Sequence, residues 1–511
     1  MRRHWVTLWM AAGAVACAAE VPGDLLRFSN GDQLHGHFQG LVEGPQALWL
    51  REDLAEAVPF KTSGIRHVVL RGARPAQALH SLSHVTLVNG DRVPGTITEL
   101  DAESVVVETS FAGPLRIPRE QVVMLAPSPL GGRLHYHGPF IEEEWRMAHA
   151  AFPEGLPAEG PDEALKENKN AQEDPDSVGV WAFSGSAWYW PGKKSGTALI
   201  REEGMPDRAI LRFDLAWRNR LSIAVAFHAD FAKVRPAKDD GADVKANARP
   251  VGFVPGDSTV LPVLFGNSYV LQIFSTHMML FRASIDEDGA PKIERVQMNG
   301  NAVRLGDTGK ATVEVRSNRL SGQISLFVND EFIVQWSERA EAAGEAQTYA
   351  GRGNGFGFVV QTEDAPVKIS DVMVAEWNGM PDSARSLQVD AQDVVLLANG
   401  TDRFAGNVLS LSGGKLDFEG KFGRFQFALD DLAEVRFARD RLAPKTEPAA
   451  DELTVRFSPL GQISGRPLAG SASVLKFSSQ IYGDVDCKLD AAVMLDFQST
   501  TTIIDDWESE F

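Results

Sequence analysis

Between residues 26 and 38 the chain reads LRFSNGDQLHGHF: apolar positions alternate, a short polar turn interrupts them, and alternation resumes. Period-two alternation puts Leu26 and Phe28 on one face of a strand and the intervening polar residue on the other. Asn30-Gly31 supplies the positive φ angles that a tight hairpin demands. The same pattern returns in VTLVNGDRVPGTI (85–97), in VVLLANGTDRFAGNV (394–408) and, with Pro459 and Gly461 at the turn, in LTVRFSPLGQISGRPL (453–468). Each copy carries a glycine after its turn, at Gly36, Gly95, Gly406 and Gly465. Each then continues into a second strand-like run, an edge and a closing apolar strand. In the second, third and fourth copies Leu115 and Ile117, Phe427 and Leu429, and Cys487 and Leu489 fall on one face, which predicts a core position for Cys487.

Gly36 and Gly95 are 59 residues apart, and so are Gly406 and Gly465. The unit of duplication is therefore a pair of modules, with a large insert between the pairs. About 45 residues in five short strands suit a small closed barrel, which removes its own sheet edges. The strand order and the closing "IP…VVML" run resemble SH3-like or Sm-like barrels, a superfold that implies no particular function. The two pairs could pack together as the chain returns from the insert.

The insert begins in different chemistry. FIEEEWRMAHAAF predicts one short helix with Trp145 and Met147 on its apolar side, and residues 153–179 form a polar linker rich in Pro, Gly, Glu and Asp. From about 178 to 380, runs such as RAILRFDLAW, LSIAVAFHADF and YVLQIFSTHMMLFRAS alternate or run apolar between turn signals. That many strands in about 200 residues predicts a two-sheet sandwich. The later strands, ATVEVR, then ISLFVNDEFIVQW, GFGFVV and VKISDVMVAEW, resemble the concanavalin A-like lectin/glucanase (laminin G-like) superfamily. The same strand order occurs in the related domain of 3-keto-disaccharide hydrolases. The resemblance covers about 200 of the 511 residues and implies a jelly-roll sandwich and sugar chemistry. Glycoside hydrolases of that superfamily place carboxylates at alternate positions of one strand, Glu-x-Asp-x-x-Glu or similar, to work as nucleophile and acid. No such strand occurs here, which disfavours that catalysis.

The expected fold class is thus all-β, a central two-sheet jelly-roll sandwich inserted between two pairs of small β-barrel repeats. Signal peptide occupies 1–19, repeats 20–75 and 80–130, helix and linker 131–177, sandwich 178–380, repeats 388–440 and 450–500, and an acidic tail 501–511. Arg2 and Arg3 before an apolar stretch, then ACAAE, have the layout of an export signal cleaved after Ala18. A competing reading takes AVAC as a lipobox with Cys17 as a lipid anchor. Both place the protein in the periplasm, at the outer surface or outside the cell. No later stretch is long and apolar enough to span a bilayer. A formal net charge of -19 argues against nucleic-acid partners, which require a basic face.

Several residue groups have candidate chemistry. SAWYWPG (186–192) places Trp188 and Trp190 on one strand face, where paired flat rings stack on sugars or fill a core. Asp286 and Asp288 could hold Ca²⁺ in a loop, or form a solvated hairpin tip. His35 with His37, and His135 with His137, have the i, i+2 spacing of a transition-metal chelate, or are chance surface pairs. No phosphate loop, nucleophile elbow or HExxH motif occurs. The leading functional expectation is non-catalytic binding of a glycan or a cell-surface protein by the sandwich. Its rivals are a carbohydrate-processing enzyme with acidic residues in the sandwich, and a self-assembling structural surface protein.

Overall fold

The computed structural model describes residues 23–127, 133–152, 179–233, 249–250, 260–296, 303–338, 349–377, 391–444 and 449–497, apart from positions 31, 43, 45, 150, 193–195, 330, 363–364, 399–401 and 450. The export-signal region with Cys17, nearly all of the polar linker, the Asn399-Gly400 turn and the acidic tail lie outside the described residues. Among the described residues there is one α-helix, Val260–Phe265, and no helix long and apolar enough to cross a membrane. The fold is all-β.

Each hairpin copy opens a five-stranded unit. In repeat 1, Asp24–Phe28 pairs with Gln33–Val42 and with the closing strand Ile65–Val69, while Gln46–Leu50 joins Gln33–Val42 to Val58–Lys61. Repeats 3 and 4 use the same pairing, and repeat 2 differs only in dividing its second strand into Arg92–Pro94 and Thr96–Leu100. The glycine of each copy marks a close approach of the second strand to the backbone of the third. A Cβ on Gly36 would lie 2.5 Å from the Leu50 carbonyl oxygen, and one on Gly95 2.5 Å from that of Glu108. Only glycine allows the two backbones so close. Cys487 is fully buried, as its alternation predicts.

The four units pack in the spatial order 1–4–2–3. The closing strands of repeats 1 and 4 pair, with Leu495 opposite Val68, and those of repeats 2 and 3 pair, with Leu125 opposite Val435. Second strands meet as well: Leu41 lies opposite Gly470, and Leu411 opposite Leu100. All four of these residues sit five positions after the glycine of their own repeat. Arg92 lies opposite Gln462 at the centre, each three positions before its glycine. A pseudo-twofold axis therefore passes between Arg92 and Gln462, relating repeat 1 to 3 and repeat 2 to 4. It carries the first sequence pair onto the second, so the tetrad is an intrachain dimer of a two-repeat unit. The pairs pack together as expected, around one shared hydrophobic core.

The insert is a two-sheet sandwich. The first sheet has Ala182–Phe183, Ala187–Trp190, Val367–Glu376, Arg208–Trp217, Gly309–Asn318, Gln323–Val328 and Glu331–Ser337 in order, with Leu134–Gly138 also paired to Val367–Glu376. The second has Arg146–His149, Thr197–Arg201, Gly355–Val360, Ser222–Ala229, Ser268–Phe274, Met278–Ile285 and Pro291–Val296. Trp188, Phe213, Trp217, Phe227, Tyr269 and Phe358 fill the space between them. The helix packs on the outside of the second sheet, over Ala198, Ile200, Ala224 and Ala226.

The helix expected around Trp145 is replaced by a single 3₁₀ turn, Glu142–Glu144, and the strand Arg146–His149. Trp145 is buried against Tyr136, Phe356 and Phe358, and Arg146 pairs with Glu202 at 2.6 Å. Pairing to an existing sheet overrode a short helical pattern, which is marginal alone. The sandwich consequently begins at Leu134 rather than near 178.

Candidate functional site

The outer face of the first sheet turns toward the repeats, and between them lies a cleft of about 1050 Å³. Its sandwich wall comes from residues that alternate with the core: Tyr189 between Trp188 and Trp190, Asp214 after Phe213, Thr312 before Val313, and Lys368 and Ser370 flanking Ile369. The opposite wall comes from repeats 1, 2 and 4, and includes the Asn89-Gly90-Asp91-Arg92 turn, Gln462, Ser464 and the 478–481 turn. The hairpin that recurs through the chain thus also shapes the cleft, beyond its turn chemistry.

A network of carboxylates, Asp91 buried and Asp214 and Asp371 partly so, holds the walls in place. Asp371 sits at a φ of 48°, beside the register shift between Arg212 and Asp214 on the neighbouring strand. It accepts a hydrogen bond from His137 Nε2 at 2.9 Å and an ion pair from Arg92 of repeat 2 at 3.0 Å. Burial raises the pKa of its carboxyl, but Arg92 and His137 more than offset this and hold it well below the usual carboxylate range. Asp214, which accepts from Thr312 Oγ1 at 2.7 Å, moves the other way: burial and the adjacent Asp371 charge raise its pKa. Asp91, 1% exposed, accepts from Ser464 N at 2.9 Å, Ser464 Oγ at 2.8 Å and Asn89 Nδ2 at 3.0 Å, and burial raises its pKa. Arg92–Asp371 thereby ties the sandwich to repeat 2, and Asp91–Ser464 ties repeat 2 to repeat 4.

Repeat 1 docks through its closing strand. Arg66 donates to the Tyr189 hydroxyl at 3.2 Å, and His67 Nε2 meets the Ser184 carbonyl. Burial lowers the His67 pKa to about 4, so the ring is neutral near pH 7 and donates this bond. The Arg66 guanidinium and the Lys368 ammonium lie 5.9 Å and 5.1 Å from the centre of the Tyr189 ring, so cations occupy the surroundings of the cleft's aromatic residue.

The structure relocates several residues singled out above. Trp188 and Trp190 are 1% and 0% exposed, packed with Phe183, Trp145 and Trp181 inside the sandwich. They share one face as expected, but it is the face toward the core, so they offer no surface for a sugar ring to stack on. The side chain on the outer face is Tyr189, which the same alternation could have found, and it too is 2% exposed, covered by Arg66 of repeat 1 and by Lys368. Asp286 organises a hairpin turn, accepting from Ala290 N at 2.8 Å and pairing with Lys292 at 3.4 Å, while Asp288 is exposed at its tip. His35 and His37 are exposed, His135 lies 3.7 Å from Glu376, and His137 is committed to Asp371. Among the described residues no three His, Cys, Asp or Glu side chains are grouped to hold a metal.

A second polar cluster lies at one end of the sandwich interior. His228 Nε2 is 2.9 Å from Ser317 Oγ, and Arg319 is 2.8 Å from His228 Nδ1. Arginine can only donate, so Nδ1 accepts and Nε2 carries the proton. Burial and Arg319 lower this histidine's pKa to about 3. In that tautomer it cannot take a proton from Ser317, which excludes a serine–histidine nucleophile here.

No protein-family model matches the chain, and no curated protein matches it. A carbohydrate-binding module of family 66 from Bacillus subtilis is similar at 12% identity, covering 39% of this chain and 93% of its own, with a TM-score of 0.24. The exoplasmic/lumenal domain of VIP36, in its Ca²⁺/Man3GlcNAc-bound form, is similar at 10% identity over 48% of this chain and 90% of its own, TM-score 0.26. Bacillus licheniformis β-glucanase is similar at 8% identity over 47% of this chain and 97% of its own, TM-score 0.25.

Proposed function

We propose that this is an exported, non-catalytic binding protein whose cleft takes a glycan without net charge. The composition of the cleft walls carries the reading. The cationic residues are Arg66, Arg92, Lys310, Lys368, Arg456 and Arg466, and the acidic ones Asp91, Asp214, Asp371, Asp451, Glu452 and Asp496. Six ionisable groups of each sign leave the walls with no formal net charge to favour an ion. Hydroxyl and amide side chains, among them Asn89, Gln121, Thr312, Ser370, Thr454 and Ser478, fill most of the remainder. Such walls present many hydrogen-bond donors and acceptors beside a comparable area of apolar surface, which suits a polyhydroxylated chain recognised by its hydroxyls and its C–H faces. The sandwich alone would present one wall. Repeats 1, 2 and 4 serve as the other, so they are part of the site as well as spacers. Delivery by the N-terminal export signal, with or without a lipid on Cys17, would place the cleft where extracellular glycans are met.

The test is a glycan-array screen of the full chain followed by calorimetry with the best neutral oligosaccharide. Lys310 on the sandwich wall and Gln480 on the repeat-4 wall are both exposed. Lys310→Ala and Gln480→Ala should each weaken binding with unchanged thermal unfolding. Binding that both variants leave intact would place the ligand elsewhere, and no binding to any glycan would end the reading.

The enzymatic rival has one observation in its favour, the opposite pKa displacements of Asp214 and Asp371. The two adjoin on neighbouring strands instead of facing each other across a bound bond, and Asp371 is already paired with Arg92 and His137. That arrangement suits sharing a proton more than flanking a glycosidic oxygen. Product release from a bound oligosaccharide, abolished in Asp214→Asn, would establish the rival.

A further inference from the structure

The pseudo-twofold axis shows what covers the open end of a repeat. At the centre of the tetrad, the turn between the third and fourth strands of repeat 2 reaches onto repeat 4. Phe111, 2% exposed, stacks on Phe457 with ring centres 4.4 Å apart, and its carbonyl accepts from Lys488 N at 2.9 Å. The matching turn of repeat 4 reaches back, and its Tyr482 hydroxyl lies 3.4 Å from Asp91 of repeat 2. Behind these exchanged turns the fourth-strand residues Leu115, Ile117, Val485 and Cys487 are all buried.

Repeat 3 lies at an outer end of the row, and there the same surface is open. Strand register, rather than the sequence pattern that set Leu115 and Ile117 beside Phe427 and Leu429, makes Phe425 and Phe427 their counterparts; both are only half-buried, as is Phe404 beside them. The three rings lie 4.9 to 6.2 Å apart. At the turn next to them Phe422 is 88% exposed, the highest value for a large hydrophobic side chain among the described residues. Repeat 3 therefore turns toward solvent an aromatic turn, with Phe422 at the position that Tyr482 holds in repeat 4, and a half-buried cluster of three rings beside it. Exposed aromatic surface of this kind marks a docking site.

We infer that two copies of this chain dimerise through repeat 3, each inserting Phe422 over the Phe404, Phe425 and Phe427 rings of the other. The occupant is a second copy because the chain already makes a contact of this kind with itself: repeats 2 and 4 exchange turns about an axis, and a repeat-3 pair repeats that exchange at the uncovered end. The contact is isologous and closes at two chains. Its aromatic centre, desolvated on assembly, holds most of the binding energy.

Sedimentation of the full chain from sub-micromolar to high-micromolar concentration tests this. A reversible monomer–dimer equilibrium is expected, with Phe422→Ser raising the dissociation constant roughly tenfold or more. Being almost fully exposed, Phe422 can be replaced without loss of fold, which circular dichroism and unchanged thermal unfolding verify. Leu54→Ser, at the corresponding turn of repeat 1 and 40% exposed, should leave the dimer intact. A monomer at every concentration, a dimer indifferent to Phe422→Ser, or one broken by Leu54→Ser would each overturn the inference.

Discussion

Removing the carboxyl of Asp91 tests how the tetrad is held together. In Asp91→Ala the buried Ser464 N–H loses its acceptor, and Ser464 Oγ and Asn89 Nδ2 lose theirs. A buried donor left unpaired costs about 1–3 kcal/mol. Release of a buried charge offsets part of this, since burial already disfavours the ionised form. The net expectation is about 2–4 kcal/mol of lost tetrad stability. Asp91→Asn should behave quite differently. With its oxygen at the present Oδ2 site, it still accepts from Ser464 N and Asn89. Its amide then donates to Ser464 Oγ, which in turn donates to Thr454 Oγ1, 2.9 Å away. The charge is gone and the bonds remain, so the cost should fall below about 1 kcal/mol. A raised carboxyl pKa means that the folded chain holds this proton more tightly than the unfolded one. Relative to Asp91→Asn, the wild type should therefore lose stability as pH rises from about 3.9 through the raised value, and stay level above it. Calorimetric unfolding of the three proteins across that range measures both effects. Equal destabilisation by Ala and Asn, or none by either, would refute this account of the joint.

Other predictions concern the core, the bends and the docking of repeat 1. Trp188→Ala should destabilise the sandwich by about 3–5 kcal/mol, read by calorimetry, because it empties a core site instead of a sugar platform. Gly95→Ala forces a Cβ against the Glu108 carbonyl and should cost about 1–3 kcal/mol in urea unfolding. His67 is neutral when folded, with its pKa lowered to about 4. Its unfolded ring takes a proton near pH 6.5, so its stabilisation is complete above that pH and is lost as pH falls toward 4. The loss is about 3 kcal/mol at most, and His67→Gln should remove that part of the acid slope in calorimetry.

Much of the fold was legible in the sequence, because strand alternation and Asn-Gly turns are local. The four hairpins, the 59-residue spacing, the burial of Cys487 and the strands of the insert all follow from period-two patterns. The region around Trp145 is ambiguous without its partner: its apolar positions fit a helix or a strand, and the edge of Thr197–Arg201 decides between them. Tryptophans 188 and 190 were placed correctly on one face, but alternation cannot say which face meets the core. The cleft was invisible for a stronger reason. Its walls come from positions as distant as Arg66, Asp214 and Ser464, and each looks like an ordinary polar residue in its own strand.

The sequence by itself determined the element type, the repeat and the pairing within each unit, since these depend on neighbours close along the chain. Tertiary structure decided which units meet. Only when the chain returns from the sandwich does the second pair find the first, so that Leu41 faces Gly470, Leu411 faces Leu100 and Arg92 reaches Asp371. Contacts at such separations are set by shape and by the pairing of buried charges, which leave no periodic trace in the sequence.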